Sequence, residues 1–237
     1  VLLVAGVVVV VWYMRKKREF LRQRFFQQIN RVRMENLRSR ISPHFTFNVL
    51  GREINQFNGS EEVKHNLMEL VKYLRRSLEL TEKLSVSLQD ELDFVRTYIE
   101  LERGRVGEDF VATITVEDGL DATRIMIPSM IVQIPVENAI KHGLAGKDGK
   151  KELMVYVSRE TNGIRITVTD NGRGYLPQVV SATRGTGTGL KVLYQTIQLL
   201  NTKNKSDKIR FNITNRSDGQ TGTEVSVYIP FRFSYDL

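Results

Sequence analysis

The 237-residue sequence predicts a helical N-terminal region followed by an α+β sandwich, and three observations carry that class. Apolar residues recur every three or four positions from Leu21 to Ile99, the spacing of amphipathic helices. After Gly104 the pattern turns to short runs of alternation, the spacing of half-buried strands. The first fourteen residues carry no charge, and Arg15-Lys16-Lys17-Arg18 follows at once. The composition, 41% apolar and 26% charged, excludes a mainly disordered or collagen-like chain. Cysteine is absent, which excludes disulfides and thiolate chemistry, and only three histidines are present (His44, His65, His142), which argues against a multi-histidine metal site.

The uncharged run VLLVAGVVVVVWYM would span about 21 Å as a helix, short of the ~30 Å hydrocarbon core of a bilayer. Its flanks favour a membrane helix over a buried strand. Trp12 and Tyr13 sit where an interfacial aromatic belt lies, and the basic cluster follows as at a cytoplasmic end. A secretory signal would carry its charges before the apolar run. The expectation is therefore a transmembrane helix remnant at 1–14, belonging to a longer chain. Ten basic and two acidic residues between Arg15 and Arg40 account for the whole net charge of +8, so no nucleic-acid surface is expected elsewhere.

Leu21, Phe25, Ile29 and Val32 mark one helix, and Met34, Leu37 and Ile41 continue it with the stripe displaced. Ser42-Pro43 restarts a helix, a serine cap with proline at the first helical position. Phe47, Leu50, Ile54 and Phe57 line its apolar face, and Asn58-Gly59-Ser60 turns the chain. Val63, Leu67, Leu70, Leu74 and Leu78 form a second stripe. Such a hairpin is too thin to bury both stripes, so dimerisation into a four-helix bundle is expected. His44 and Asn48, one turn apart, fall at the edge of that bundle. A third helix starts at Ser87, with Asp90 completing a capping box.

In the C-terminal half, Phe110–Val116, Leu153–Ser158, Ile164–Asp170, Ile209–Thr214 and Glu224–Ile229 read as strands. Met130–His142 and Leu190–Leu200 read as helices. Neither GxxxxGK[ST] nor GxGxxG occurs, which removes the two commonest phosphate-binding loops. Three clusters can instead carry chemistry: the helix segment Glu137–Gly143, the strand end Asp170-Asn171-Gly172-Arg173-Gly174, and the loop Gly185-Thr186-Gly187-Thr188-Gly189-Leu190. Each alone has an ordinary reading as a polar helix face, a hairpin turn or a flexible loop. In this order they describe a pocket for a purine nucleotide. Asn138 would offer an oxygen to Mg²⁺, Asp170 would accept from an adenine amine, and the glycines would let base and phosphates approach.

SPHFTFN (Ser42–Asn48), VSLQDELDFVRTYIELERGR (Val86–Arg105), IPSMIVQIPVENAIKHG (Ile127–Gly143), DNGRG and GTGTGL together resemble the LytS/YehU-type sensor histidine kinases. The similarity runs from about Arg40 to Pro230. It implies a dimerising, phosphoaccepting helical region at 15–86 and a catalytic ATP-binding domain of the GHKL (Bergerat) type at 87–237. It further implies ATP-dependent phosphorylation of His44, then transfer to an aspartate of a response regulator, in a homodimer at a bacterial inner membrane. His44, Asn48 and Glu137 become the candidate catalytic residues. Asn138, Lys141, His142, Asp170, Gly172, Gly174, Gly185, Gly187, Gly189 and Leu190 become the candidate ATP contacts, with Asn138 holding Mg²⁺. Arg40 and Thr46 stand where the family often has glutamine and leucine. A non-kinase ATPase of the same fold and a silent membrane-anchored scaffold are the alternatives.

Overall fold

The computed structural model describes residues 12–17, 61–175, 188–202, 204 and 206–235. Residues 12–17 are helical and exposed, with the Lys16 ammonium 4.9 Å from the centre of the Trp12 ring. The rest of the expected membrane segment lies outside the described residues, as do His44 and Asn48. Among the described residues no helix is long and apolar enough to cross a membrane.

Two helices precede the sheet. Helix α1 (Glu61–Glu82) buries Leu70, Ser77, Leu80 and Thr81, and stacks the Tyr73 ring on Phe94 with centroids 4.9 Å apart. The short strand β1 (Ser85–Ser87) leads into α2 (Leu88–Val106). The expected cap is present: Ser87 Oγ accepts from Asp90 N at 3.0 Å and donates to Asp90 Oδ2 at 2.8 Å. Helix α2 ends at Gly107, whose φ of +113° lies in the region that favours glycine. Arg76 of α1 pairs with Asp90, tying the two helices at the start of α2.

Strand β2 (Phe110–Val116) alternates as expected, with Phe110 buried and Val111, Thr113 and Thr115 exposed. Strand β3 (Met126–Pro128) pairs antiparallel with β1, and helix α3 follows (Gln133–Asn138). Strands β4 (Lys151–Glu160) and β5 (Gly163–Asp170) form a tight hairpin. Helix α4 (Thr188–Asn201) and strands β6 (Arg210–Asn215) and β7 (Thr223–Pro230) complete the domain. The five-stranded sheet has the order β2-β4-β5-β7-β6, with only β2 and β4 parallel.

One face of this sheet is covered. Leu153, Val155 and Val157 of β4, Ile164, Ile166 and Val168 of β5, and Val225, Val227 and Ile229 of β7 share one core with Leu92, Val95 and Ile99 of α2 and Leu193, Ile197 and Leu200 of α4. Each such side chain contributes roughly 1.5–3 kcal/mol on burial. The expected α+β sandwich is thus observed. Two short strands, β1 and β3, were not among the expected elements, because three-residue strands carry no measurable period. The helix expected from Met130 begins three residues later, at Gln133, because Met130 adopts a φ of +70° that no helix accommodates.

Candidate nucleotide-binding site

The candidate site is assembled by α3, the end of β5 and the start of β7. Helix α3 continues after Asn138 as a wider π turn, Ala139–Gly143, closed by Leu144 N donating to Ala139 O at 2.8 Å. Its buried side chains, Ile134, Val136, Ala139 and Ile140, face the core, which turns Glu137, Asn138, Lys141 and His142 to partly exposed positions. Pro135 falls in the first turn, where its missing N–H removes no interior helix bond.

The N-terminal amides of this helix end on one carboxylate. Glu91 of α2, fully buried, accepts from Met130 N (2.9 Å) through Oε2 and from Val132 N (3.1 Å) and Gln133 N (3.2 Å) through Oε1. Burying a carboxylate is costly unless it is hydrogen-bonded, and a negative charge at a helix N-terminus is favourable. Further along α2, the Tyr98 hydroxyl is buried. That burial, with the nearby Glu137 and Glu102 carboxylates, holds it well above the ordinary phenol range.

At the other end of α3, backbone and carboxylate meet without room for side chains. A Cβ on Gly143 would lie 2.8 Å from Asp170 Oδ1 and 3.0 Å from Oδ2. A Cβ on Gly172 would lie 2.1 Å from Gly143 O, and one on Gly222 would lie 1.9 Å from Asp170 O. Asp170 itself is buried at the end of β5. Its Oδ1 accepts from Gly172 N (2.8 Å) and Thr223 N (3.4 Å). Burial raises its carboxyl above the ordinary range, opposed by those N–H bonds, the Thr223 hydroxyl and the Arg216 charge. Both of these backbone bonds fall on Oδ1. Asn171 faces the other way, accepting from Glu152 N at 2.8 Å and donating to Lys150 O at 3.0 Å, and so fixes the strand end to β4.

The predicted residues divide accordingly. Glu137 and Lys141 pair at 2.6 Å, both more than half buried. Asn138 is partly exposed, and its Nδ2 donates to Ile134 O at 2.9 Å. His142 is half-buried, and burial together with Lys141 and Arg173 lowers its pKa, opposed by Glu137. Gly174 takes a φ of +85° beside Asn215, whose Oδ1 accepts from Tyr175 N at 2.6 Å. Gly189 and Leu190 lie in the first turn of α4, while Gly185 and Gly187 lie outside the described residues. Among the described residues no cluster of three or more His, Cys, Asp or Glu could hold a metal by itself. Reading the sequence missed Glu91, Gly222 and Thr223. The signal for Glu91 was present: it stands three residues after Leu88 and four before Val95, on the apolar stripe itself.

A buried carboxylate, a cradle of glycines and an amide-bearing helix meet here. Comparison with known proteins gives the class of domain that carries them. Residues 123–232 match the family of histidine kinase-, DNA gyrase B- and HSP90-like ATPases, and residues 32–110 match the histidine kinase family. The sensor histidine kinase YpdA of Escherichia coli is 28% identical over 86% of this chain. The sensor histidine kinase/phosphatase LytS of Staphylococcus aureus is 32% identical over 79% of it. The chain spans about a third of the length of these relatives, 35% and 33%. A histidine kinase domain from Erythrobacter litoralis superposes with a TM-score of 0.47 at 19% identity, covering 71% of this chain and 85% of that one, too loosely to carry any assignment. The chain belongs to the sensor histidine kinases.

Proposed function

We infer that this chain is the kinase portion of a membrane-anchored sensor that phosphorylates itself on His44 and passes the phosphoryl group to an aspartate of a response regulator. The observation that supports it most is the cradle in which Gly143, Gly172 and Gly222 close on a buried Asp170 beside the helix bearing Glu137 and Asn138. Residues 1–14 then belong to a transmembrane helix, 15–86 to the dimerising and phosphoaccepting region, and 87–237 to the catalytic domain. The dimer places four helices in one bundle, and the catalytic domains lie on the cytoplasmic side of a bacterial inner membrane.

In this reading Asp170 Oδ2 accepts from the exocyclic amine of adenine, and Gly172 and Gly174 let the ring approach the backbone. Gly185, Gly187, Gly189 and Leu190 cover the phosphates, with Lys141 and His142 along the same wall. Asn138 would offer its side-chain oxygen to Mg²⁺, and the bound ion would supply charge neutralisation to the phosphates. The neutral imidazole of His44 attacks the γ-phosphorus: an N–P bond forms, the bond to the bridging oxygen breaks, and ADP leaves with its electron pair. Neutral imidazole is abundant at pH 7, since the unperturbed pKa is about 6.5. Asn48 orients the ring, and the ring proton passes to Glu137. The test is incubation of the full chain with γ-labelled ATP and magnesium. Wild type and the His65→Gln and His142→Gln variants should take up an acid-labile, base-stable label, and His44→Gln should not. Equal labelling of His44→Gln would overturn the assignment.

A further inference from the structure

Glu91 has no part in the chemistry above, yet it is fully buried and all three of its described backbone partners lead into the helix that carries Glu137 and Asn138. We propose that Glu91 is a positioning residue: by holding the Met130, Val132 and Gln133 amides, it sets the orientation in which α3 presents Glu137 and Asn138 to the nucleotide. This deepens the kinase reading and rests on it.

The backbone geometry says why a carboxylate is needed there. Met130 is the one non-glycine residue at positive φ among the described residues, a strained conformation that persists only when its surroundings hold it. The bond to Glu91 Oε2 is what holds it from the helical side. From the opposite side, Ser129 N donates to Leu84 O at 3.2 Å and Ser129 Oγ to Leu80 O at 2.5 Å. The chain is thus pinned on both flanks of the strained residue, just before α3. Gln133, the third amide held by Glu91, is one turn below Glu137, so rotation at the start of the helix moves Glu137 and Asn138 directly. Asp170, Gly172 and Thr223 stand on β5, its following turn and β7 and are bonded to one another, and the α3 segment touches them only through Gly143, at the far end of the π turn and ten residues beyond Gln133. Loss of the Glu91 bonds should therefore separate two functions of one pocket: the adenine side stays intact, and the side facing metal and γ-phosphate shifts.

Glu91→Gln tests this in the full chain. The variant keeps the shape and Oε1, but sets an NH₂ against Met130 N–H. Hydrogen exchange of the nucleotide-free protein should speed up about tenfold or more over residues 130–138. Exchange in β5 and β7 should not change. Affinity for ADP without magnesium should stay within about twofold, while the gain that magnesium adds to ATP affinity and the phosphorylation rate each fall about tenfold, the effect of one lost charge-assisted bond. Glu91→Asp, charged but one methylene short of the three amides, should behave like Glu91→Gln. Equal exchange across the whole domain would show a merely structural residue. Unchanged exchange at 130–138, a wild-type magnesium gain, or wild-type behaviour of Glu91→Asp would overturn the proposal. If the wild type itself takes up no label, the kinase reading fails, and the exchange and magnesium measurements still judge Glu91.

Discussion

Replacing Asp170 by asparagine separates recognition from stability. The asparagine carbonyl can occupy the place of Oδ1 and keep the bonds from Gly172 N and Thr223 N. Its NH₂ then occupies the place of Oδ2 and sets a donor against the adenine amine. A hydrogen bond to a charged group contributes about 1.5–3 kcal/mol, so ADP affinity should fall about ten- to hundredfold. Stability should move the other way. Burial raises the Asp170 carboxyl above its ordinary range, with only partial opposition from its hydrogen bonds. A carboxyl so raised contributes fully to stability below about pH 4, and that contribution is lost as pH rises through the raised value. At pH 7 the nucleotide-free variant should therefore melt no lower than wild type. Calorimetric titration with ADP and thermal melts at pH 4 to 8 check both halves. An affinity within about twofold of wild type would refute the adenine assignment. A variant that melts lower at pH 7 would refute the account of its burial.

Gly143→Ala puts a methyl group within 3.0 Å of the Asp170 carboxylate, so it should cost about 1–3 kcal/mol of stability in a thermal melt and weaken ADP binding at least about tenfold. Gly104, in the last turns of α2 with open space around its Cα, gives the opposite sign: Gly104→Ala should raise stability by about 0.5–1 kcal/mol and leave ADP binding unchanged. The pKa of His142 is lowered by burial and by Lys141 and Arg173, so its neutral form stabilises the fold above about pH 6.5, and this is lost as pH falls through the lowered value. Melts from pH 8 to 5 should accordingly show a shallower acid decline for His142→Gln than for wild type.

How far the sequence reveals this molecule depends on the range of each interaction. Phe110–Val116 shows its strand by alternation because one face of the sheet is buried and the other is wet, and α2 shows its start because Ser87 and Asp90 cap it locally. Asp170 and Gly172 stand two residues apart, so the turn they form is visible as a motif. The contacts that turn this motif into a pocket are distant in sequence. Gly143 packs on Asp170 across 27 positions, and Thr223 reaches it across 53. No local period encodes either approach. Glu91 was hidden for another reason: a carboxylate on a helix is ordinarily solvated, and only its place on the Leu88–Val95 stripe marks it as buried. Met130 gave no signal at all, because its left-handed backbone is imposed by Glu91 and Ser129 rather than by its own side chain.

Mass-spectrometric mapping of the full chain after incubation with magnesium and ATP, under conditions that preserve phosphoramidates, asks most directly whether the pocket and the N-terminal helices form one enzyme. A single phosphate on the peptide containing His44, absent when Asp170 is replaced by asparagine, is the predicted result. Phosphate on a peptide lacking His44, or none on a chain that binds ADP normally, would contradict it.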